Sequence, residues 1–291
     1  MDALALDPGG LDVVLQAAVI GLLQGLTEFI PVSSSAHLEL APWIFGWEED
    51  RLIGSLAFDV FLHLGTLLAL LWYFARDWLR YLGALVASIR ERRIGTDADR
   101  RMAWLLVLAT VPAAAIGFGL EGVIEETFHG NAGGARLAIA AFVVVGAIAL
   151  YGADRFGRRD RDLARLGAPS ALVIGLSQAL ALLPGISRSG ATISAGLALG
   201  LTREAAARFS FLLATPITLG AGLYGSRRLL EESHTGAEWL AIGVGFVVAA
   251  VSGMAAIGFL LSWLRRRSVA VFSLYRLVLA AGVVALVLSG R

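Results

Sequence analysis

The fold is decided around residues 24–37, which read QGLTEFIPVSSSAH and set polar, ionisable side chains inside apolar sequence. About half the chain later, residues 184–192 read PGISRSGAT and do the same. We call these the first motif and the second motif. In each motif a proline ends one apolar segment, because it removes a backbone donor, and a serine favours the start of the next helix. This pattern predicts two pairs of short helices, at 11–30 with 35–47 and at 168–183 with 190–201.

Composition places the two motifs in a membrane protein. The 291 residues are 57% hydrophobic and only 16% charged, and the mean hydropathy is +0.75. We therefore predict an all-α polytopic membrane protein surrounded by membrane lipids. A net charge of +1 gives no reason to expect a nucleic-acid partner, and the absence of cysteine excludes disulfides. Six stretches are long enough to be full transmembrane helices: 56–75, 102–120, 136–153, 205–225, 238–263 and 269–289.

The two halves of the chain resemble each other. Residues 21–24 (GLLQ) are echoed by residues 175–178 (GLSQ), and each of these is followed by one of the two motifs at a similar distance. We interpret this as a repeat within a single integral membrane domain, 1–291, with repeats of approximately 11–153 and 168–289. Each repeat holds one re-entrant helical hairpin and three crossings, so the second repeat is inverted in the membrane. Inverted repeats with broken helices are typical of transporters as well as enzymes.

Loop charges predict the orientation of the chain. Arginine-rich stretches at 76–101, 155–165 and 265–267 should be cytoplasmic. Acid-rich stretches near 48–50 and 121–126 should face outward, which puts both termini outside. Asp2, Asp7 and Asp12 precede or begin the first apolar stretch without a basic residue, so we expect no cleavable signal peptide.

The second motif has the chemistry of an anion site. Pro184 and Gly185 allow a sharp turn, and Ser187 or Ser189 can cap the next short helix. The free amides and dipole of that helix favour an anion, and Arg188 adds a planar fork suited to phosphate oxygens. The alternative is an arginine that snorkels or pairs with carbonyl groups.

The first motif has the complementary chemistry. Ser34 and His37 are three residues apart and share a helix face, which is the minimum set for a nucleophile and its base. A serine cap and an interfacial histidine explain the same spacing. Gln24 and Glu28 also share a face. A buried Glu28 can act as a general base, a metal ligand, a partner for Arg188, or one half of a structural ion pair.

Asp59, His63 and Arg276 are ionisable residues outside the motifs but inside predicted full spans. Asp59 and His63 are four residues apart in the first full span, where they could support the site or bind a cation. We give them less weight because Asp59 is close to the outer end of that span. Arg276 lies in the last span, two turns from its cytoplasmic end, and we expect a structural, snorkelling role there.

The motifs resemble the undecaprenyl-diphosphatase family of the bacitracin-resistance type. The first motif matches its signature of an acidic or amide residue, three residues, Glu, then Phe-aliphatic-Pro-Val-Ser-Ser and a His. Gln24 stands where many members carry Glu. The second motif matches Pro-Gly-x-Ser-Arg-Ser-x-x-Thr, and the resemblance extends over nearly the whole chain, including residues 58–66, 207–212 and 275–276.

The resemblance implies hydrolysis of undecaprenyl diphosphate to undecaprenyl phosphate and inorganic phosphate. The reaction is expected on the outer side of the bacterial plasma membrane, where it recycles the lipid carrier for cell-wall synthesis and confers bacitracin resistance. Members of the family are stimulated by divalent cations, so Mg²⁺ or Ca²⁺ is the expected cofactor. The substrate would be a polyprenyl diphosphate lipid. The oligomeric state stays open, with a homodimer among the candidates.

Our hypothesis for the site assigns Ser34 as nucleophile, His37 or Glu28 as base, and Arg188 as the group that stabilises charge on the phosphates. Ser33 and a water molecule are competing nucleophiles. Glu28 is the candidate metal ligand. The other hydroxyl and amide groups of the two motifs are candidate substrate-binding residues, namely Gln24, Ser33, Ser35, Ser187, Ser189 and Thr192. Two rival functions are a lipid-phosphate flippase and an ion-coupled anion transporter, neither of which needs a nucleophile.

Overall fold

The structure is a computed structural model that describes residues 8–48, 50–129, 132–231 and 233–290, with side chains undescribed at 8, 120–129, 132–133, 226 and 228–230. Within these ranges the chain forms eleven α-helices, joined by loops and two short 3₁₀ helices. They are α1 (Pro8–Phe29), α2 (Ser34–Phe45), α3 (Leu56–Tyr73), α4 (Ala75–Glu91), α5 (Ala98–His129), α6 (Ala132–Phe156), α7 (Ala168–Gln178), α8 (Arg188–Ala198), α9 (Arg203–Glu231), α10 (Gly236–Leu264) and α11 (Ala270–Leu288).

The prediction of an all-helical, multi-pass chain is confirmed. Seven of the described helices are long and apolar enough to cross a membrane. Six of them, α3, α5, α6, α9, α10 and α11, coincide with the predicted spans. The seventh is Gly9–Phe29 in α1, which we had assigned to a short arm of a hairpin. The predicted arm, residues 11–30, already had the ~20 residues that a transmembrane helix needs, so its length alone allowed a full span.

Helix α4 was not predicted. The chain from Ala75 to Glu91 carries several charges, so the sequence suggested a cytoplasmic loop. Its polar residues recur with helical spacing: Asp77 contacts Arg80 at 2.6 Å one turn later. An amphipathic helix of this kind needs only one apolar face, and a search for continuous apolar stretches misses it.

The turns within the two motifs are alike. Residues 30–33, the first turn, separate α1 from α2, and residues 183–187, the second turn, separate the short helices on either side of it. Each turn ends on a serine with a left-handed backbone, Ser33 at φ 78° and Ser187 at φ 73°. Left-handed backbone is costly for residues other than glycine, so both serines are held there by their surroundings.

The first of two compact units comprises residues up to 30, 34–73 and 215–259. Its core includes Phe58 and Leu62, both fully buried. Gly25 of α1 packs so closely on α10 that a Cβ there would lie 2.5 Å from the carbonyl oxygen of Ala249. Small residues at such contacts are how membrane helices approach each other.

The second compact unit comprises residues 31–33, 74–214 and 260–291. A Cβ at Gly175 of α7 would overlap the backbone of Ala109 in α5, so this contact also requires glycine. Buried polar clusters join its helices as well. Asp154 of α6 accepts hydrogen bonds from Arg203 at 2.5 Å and from Ser268 at 2.7 Å. The two units each draw on both halves of the chain and do not coincide with the predicted repeats, which stay a prediction.

Some predictions concern residues outside the description. Asp2, Asp7 and Glu49 fall in undescribed positions, and so do the side chains of the acidic residues in 121–126. The orientation derived from these residues stays a prediction.

Candidate functional site

In the first motif a serine hydroxyl is hydrogen-bonded to a buried carboxylate. Ser34, the first residue of α2, donates a hydrogen bond from Oγ to Oε2 of Glu28 at 2.6 Å. Glu28 lies in the last turn of α1 and is 7% exposed. Because the turn folds the start of α2 back beside the end of α1, residues six apart in sequence come into contact. Of the two bases that the sequence suggested for Ser34, Glu28 is thus the one in direct hydrogen-bond contact with its hydroxyl.

His63 is the second neighbour of Glu28. Its Nε2 lies 3.5 Å from Oε2 of Glu28, and its Nδ1 lies 2.8 Å from the backbone carbonyl of Asp59. A carbonyl oxygen only accepts, so Nδ1 carries a proton. Nε2 then faces the carboxylate either as part of an imidazolium or as the acceptor of a proton from Glu28. The contact therefore places an imidazole nitrogen beside the carboxylate that accepts the hydrogen bond of Ser34. The contact between His63 and Glu28 was not predicted, because the two residues are far apart in sequence.

Gln24 completes this arrangement from the preceding turn of α1. Its Nε2 donates to Oε2 of Glu28 at 3.3 Å, and its Oε1 is buried without a hydrogen-bond partner. An unpartnered buried oxygen beside a carboxylate suits a hard cation, which takes oxygen ligands and completes its shell with water and substrate phosphates. No group of three or more His, Asp or Glu side chains with metal-site geometry occurs among the described residues. Glu28 and Gln24 therefore offer two oxygen donors and not a complete set of metal ligands.

The other residues predicted in the first motif are placed as follows. Ser33 is fully buried and occupies the left-handed position that ends the first turn. Ser35 is exposed, and His37 is 7% exposed on α2, one turn after Ser34. The start of α2 therefore carries the partly buried Ser34 and the buried His37, and the buried Ser33 directly precedes it.

The second motif forms a capped helix start, as the sequence predicted. Ser187 is the N-cap of α8, and its Oγ accepts a hydrogen bond from the amide of Gly190 at 3.1 Å. It lies 3.2 Å from Oγ of Ser189, which is also buried. Arg188 is the first residue of the helix and half-buried, with Nη1 3.4 Å from the carbonyl oxygen of Ala214. This arrangement brings a guanidinium group to the positive end of a helix dipole, where an anion is favoured.

Thr192 points in a different direction from that expected of a substrate ligand. Its Oγ1 donates to the carbonyl of Arg188 or shares a hydrogen bond with Oγ of Ser210, at 2.8 Å and 2.6 Å. The residue is 1% exposed. Its hydroxyl therefore joins α8 to α9, and a role in substrate binding stays a prediction.

Arg276 does not snorkel, so that expectation was wrong. The residue is fully buried, and its guanidinium group donates to four backbone carbonyl groups, with distances of 2.7–3.3 Å. Carbonyl oxygens freed by the broken helices supply the polar partners that an interface would otherwise provide.

Comparison with known proteins identifies the family. The family model described as "Bacitracin resistance protein BacA" matches residues 17–282. The chain belongs to this family. A protein of Pelobacter propionicus named undecaprenyl-diphosphatase is 44% identical over 95% of this chain and 98% of its own length. Undecaprenyl-diphosphatases of Thermomicrobium roseum and Rubrobacter xylanophilus are each 45% identical, over 91% and 94% of this chain and 95% and 98% of their own lengths. The family predicted from the two motifs is confirmed.

Proposed function

We propose that this BacA-family protein hydrolyses undecaprenyl diphosphate to undecaprenyl phosphate and inorganic phosphate, with the first motif as the reacting centre. The family and the activity by which its relatives are named support the reaction. The observation that carries the site is the 2.6 Å hydrogen bond from the hydroxyl of Ser34 to the carboxylate of Glu28. A hydroxyl is a weak nucleophile until a base takes its proton, and here the base is already in contact.

In the proposed first step, Oγ of Ser34 attacks the terminal phosphorus of the diphosphate. The proton of Ser34 passes to Glu28, the bridging P–O bond breaks, and undecaprenyl phosphate leaves with the electron pair of that bond. A water molecule then attacks the phosphorus of the phosphoserine, the P–Oγ bond breaks and inorganic phosphate leaves; Oγ takes the proton held by Glu28, and the proton that water loses passes to the vacated carboxylate and from there to solvent. His63 acts on Glu28 by sharing its proton between the two steps.

The second motif is proposed to hold the diphosphate. Arg188 and the amides of the first turn of α8 would bind phosphate oxygens and stabilise the charge that grows during transfer. The family model matches residues 17–282, a range that includes both motifs, which supports action of both motifs on one substrate. Ser187 and Ser189 would stabilise the conformation of the first turn of α8 through their hydrogen bonds.

A divalent cation, Mg²⁺ or Ca²⁺, is proposed to bind beside Glu28 and Gln24. The carboxylate of Glu28 and the unpartnered Oε1 of Gln24 supply two oxygen ligands. When bound, the cation would neutralise part of the charge on the diphosphate.

The membrane arrangement is proposed to follow the sequence prediction. Helices α2, α7 and α8 have 12, 11 and 11 residues, which is about 18 Å or less, whereas the hydrocarbon core is about 30 Å thick. Helices α7 and α8, both too short to cross and separated by a proline turn, support the second re-entrant hairpin, whereas in the first hairpin only α2 is short and α1 is long enough to cross. The two re-entrant hairpins in inverted repeats, the reaction at the outer face of the plasma membrane and both termini outside are proposed from the sequence pattern.

The deciding experiment measures phosphate release from undecaprenyl diphosphate by the purified protein in detergent, with and without EDTA. We expect release that requires Mg²⁺ or Ca²⁺ and falls by about 10²- to 10⁴-fold in Glu28→Gln, because the amide cannot take a proton. Glu39→Gln removes an exposed carboxylate of the same hairpin and should stay close to wild type. Lipid binding without release by the wild-type protein would support a flippase instead.

A further inference from the structure

Arg276 connects the two turns that interrupt the helices. Its Nη1 donates to the carbonyl of Pro31 in the first turn at 3.3 Å. Its Nη2 donates to the carbonyls of Gly185 and Ile186 in the second turn, at 2.7 Å and 3.0 Å. The remaining contact, from Nε to the carbonyl of Val143 in α6, anchors the guanidinium group at 3.0 Å. Residues 245 apart in sequence are thereby joined within the second compact unit.

The two carbonyls occupy equivalent positions in the two turns. Pro31 lies two residues before Ser33, and Gly185 lies two residues before Ser187, the two serines with left-handed backbone. One planar guanidinium group thus binds the same position of each turn through its two terminal nitrogens. Among basic side chains only arginine has this fork, whereas a lysine ammonium is a single point.

Two glycines make room for the guanidinium group. A Cβ at Gly146 of α6 would overlap Nη2 of Arg276, and a Cβ at Gly190 of α8 would lie 3.0 Å from Nη1. The position of Arg276 therefore depends on glycine at both places. Gly190 is also the residue whose amide is bound by Ser187, so the arginine packs directly against the helix start that we propose to hold phosphate.

We propose that Arg276 is a positioning residue that sets the geometry of the anion site without touching the substrate; this inference rests on the proposed function of the second motif. By binding the carbonyls of Gly185 and Ile186, it turns these oxygens, which repel anions, away from the amides of α8. By binding Pro31, it holds the first turn in register with the second. Its fully buried positive charge adds to the attraction for a diphosphate in this low-dielectric region.

The test compares Arg276→Lys, Gly146→Ala and Gly152→Ala. Arg276→Lys keeps the charge but loses the fork, and Gly146→Ala displaces the guanidinium while leaving the arginine in place. Gly152→Ala is the matched control, because a Cβ there meets nothing within 4 Å. Each variant is assayed for kcat and KM with undecaprenyl diphosphate, for inhibition by inorganic pyrophosphate, and for folding by size exclusion and thermal melting.

We expect kcat/KM to fall at least tenfold in Arg276→Lys and in Gly146→Ala, and pyrophosphate inhibition to weaken by a similar factor. Gly152→Ala should match wild type. Adding Gly146→Ala to Arg276→Lys should cost less than adding it to the wild type, because the guanidinium is gone and only the contact of the new Cβ with the carbonyl oxygen of Ile186, at 2.9 Å, remains. If Arg276→Lys does not fold, Arg276→Gln, which keeps a planar donor but not the fork, replaces it in the comparison.

Two results would overturn the inference. One is wild-type kcat/KM and pyrophosphate inhibition in folded Arg276→Lys and Gly146→Ala. The other is a lowered melting temperature with unchanged activity per folded molecule, which would make Arg276 structural only. Inactive Arg188→Ala beside fully active Arg276 variants would reject this inference while leaving the proposed site intact. Fully active Arg188→Ala would reject the site itself.

Discussion

The two motifs share one backbone design and carry opposite chemistry. In both, a proline turn ends on a left-handed serine, Ser33 or Ser187, and a short helix begins at the next residue. The first motif presents a carboxylate in contact with a hydroxyl, whereas the second presents a guanidinium group at a capped helix start. The difference teaches that the turn leaves backbone groups free inside a membrane protein, and that the side chains next to it decide which polar groups are presented there.

The largest effect should come from the reacting motif. Ser34→Ala removes the proposed nucleophile, and we expect kcat to fall by about 10⁴-fold or more. Ser33→Gly is the matched variant, since glycine adopts a φ of 78° without strain. The fall in kcat of this variant should stay below about tenfold. Single-turnover phosphate release measures both. A larger fall in kcat in Ser33→Gly than in Ser34→Ala would make Ser33 the nucleophile. A small fall in both variants would indicate direct attack by water.

The holding motif should show the next largest effect. Arg188→Ala removes the guanidinium at the start of α8, and we expect kcat/KM to fall by about 10²- to 10³-fold with the protein still folded. Arg266→Ala removes the same charge from an exposed position and serves as the control. Steady-state kinetics with undecaprenyl diphosphate distinguish them. Activity close to wild type in Arg188→Ala would contradict the proposal that the second motif binds the diphosphate.

A smaller effect should sharpen the role of the first motif in cation binding. Gln24→Glu places a second carboxylate beside Glu28 in fully buried surroundings. Because ligand charge raises affinity for hard cations, the Mg²⁺ or Ca²⁺ concentration for half-maximal activity should fall several-fold. Titration of EDTA-treated wild type and Gln24→Glu with each cation measures this half-maximal concentration. An unchanged requirement would place the cation away from Gln24.

The smallest effect is expected at Thr192, where the second motif meets α9. Thr192→Val removes the hydroxyl that contacts Ser210 at 2.6 Å, so stability should fall by about 1 kcal/mol and turnover should stay within about threefold. Thermal melting and kinetics of Thr192→Val and Ser210→Ala test this. A tenfold loss of turnover at unchanged stability would instead put the Thr192 hydroxyl on the substrate.

Local features of this protein were open to prediction from the sequence. Proline and serine act on their own neighbours, so both turns and the cap at Ser187 could be predicted. Hydropathy acts over one helix length, so the six spans could be predicted too. Helix α4 was missed because it has one apolar face, and α1 was assigned to a hairpin arm because a proline turn follows it, although its length allows a full span.

The sequence by itself determined the membrane class, the two broken helices and the set of reactive residue types, because these depend on composition and on short-range backbone chemistry. The tertiary structure alone decided which of them meet. It placed Ser34 on Glu28, brought His63 to the same carboxylate, and buried Arg276 against a carbonyl 245 residues away. Such contacts depend on how each helix is rotated and packed, and no local pattern encodes that.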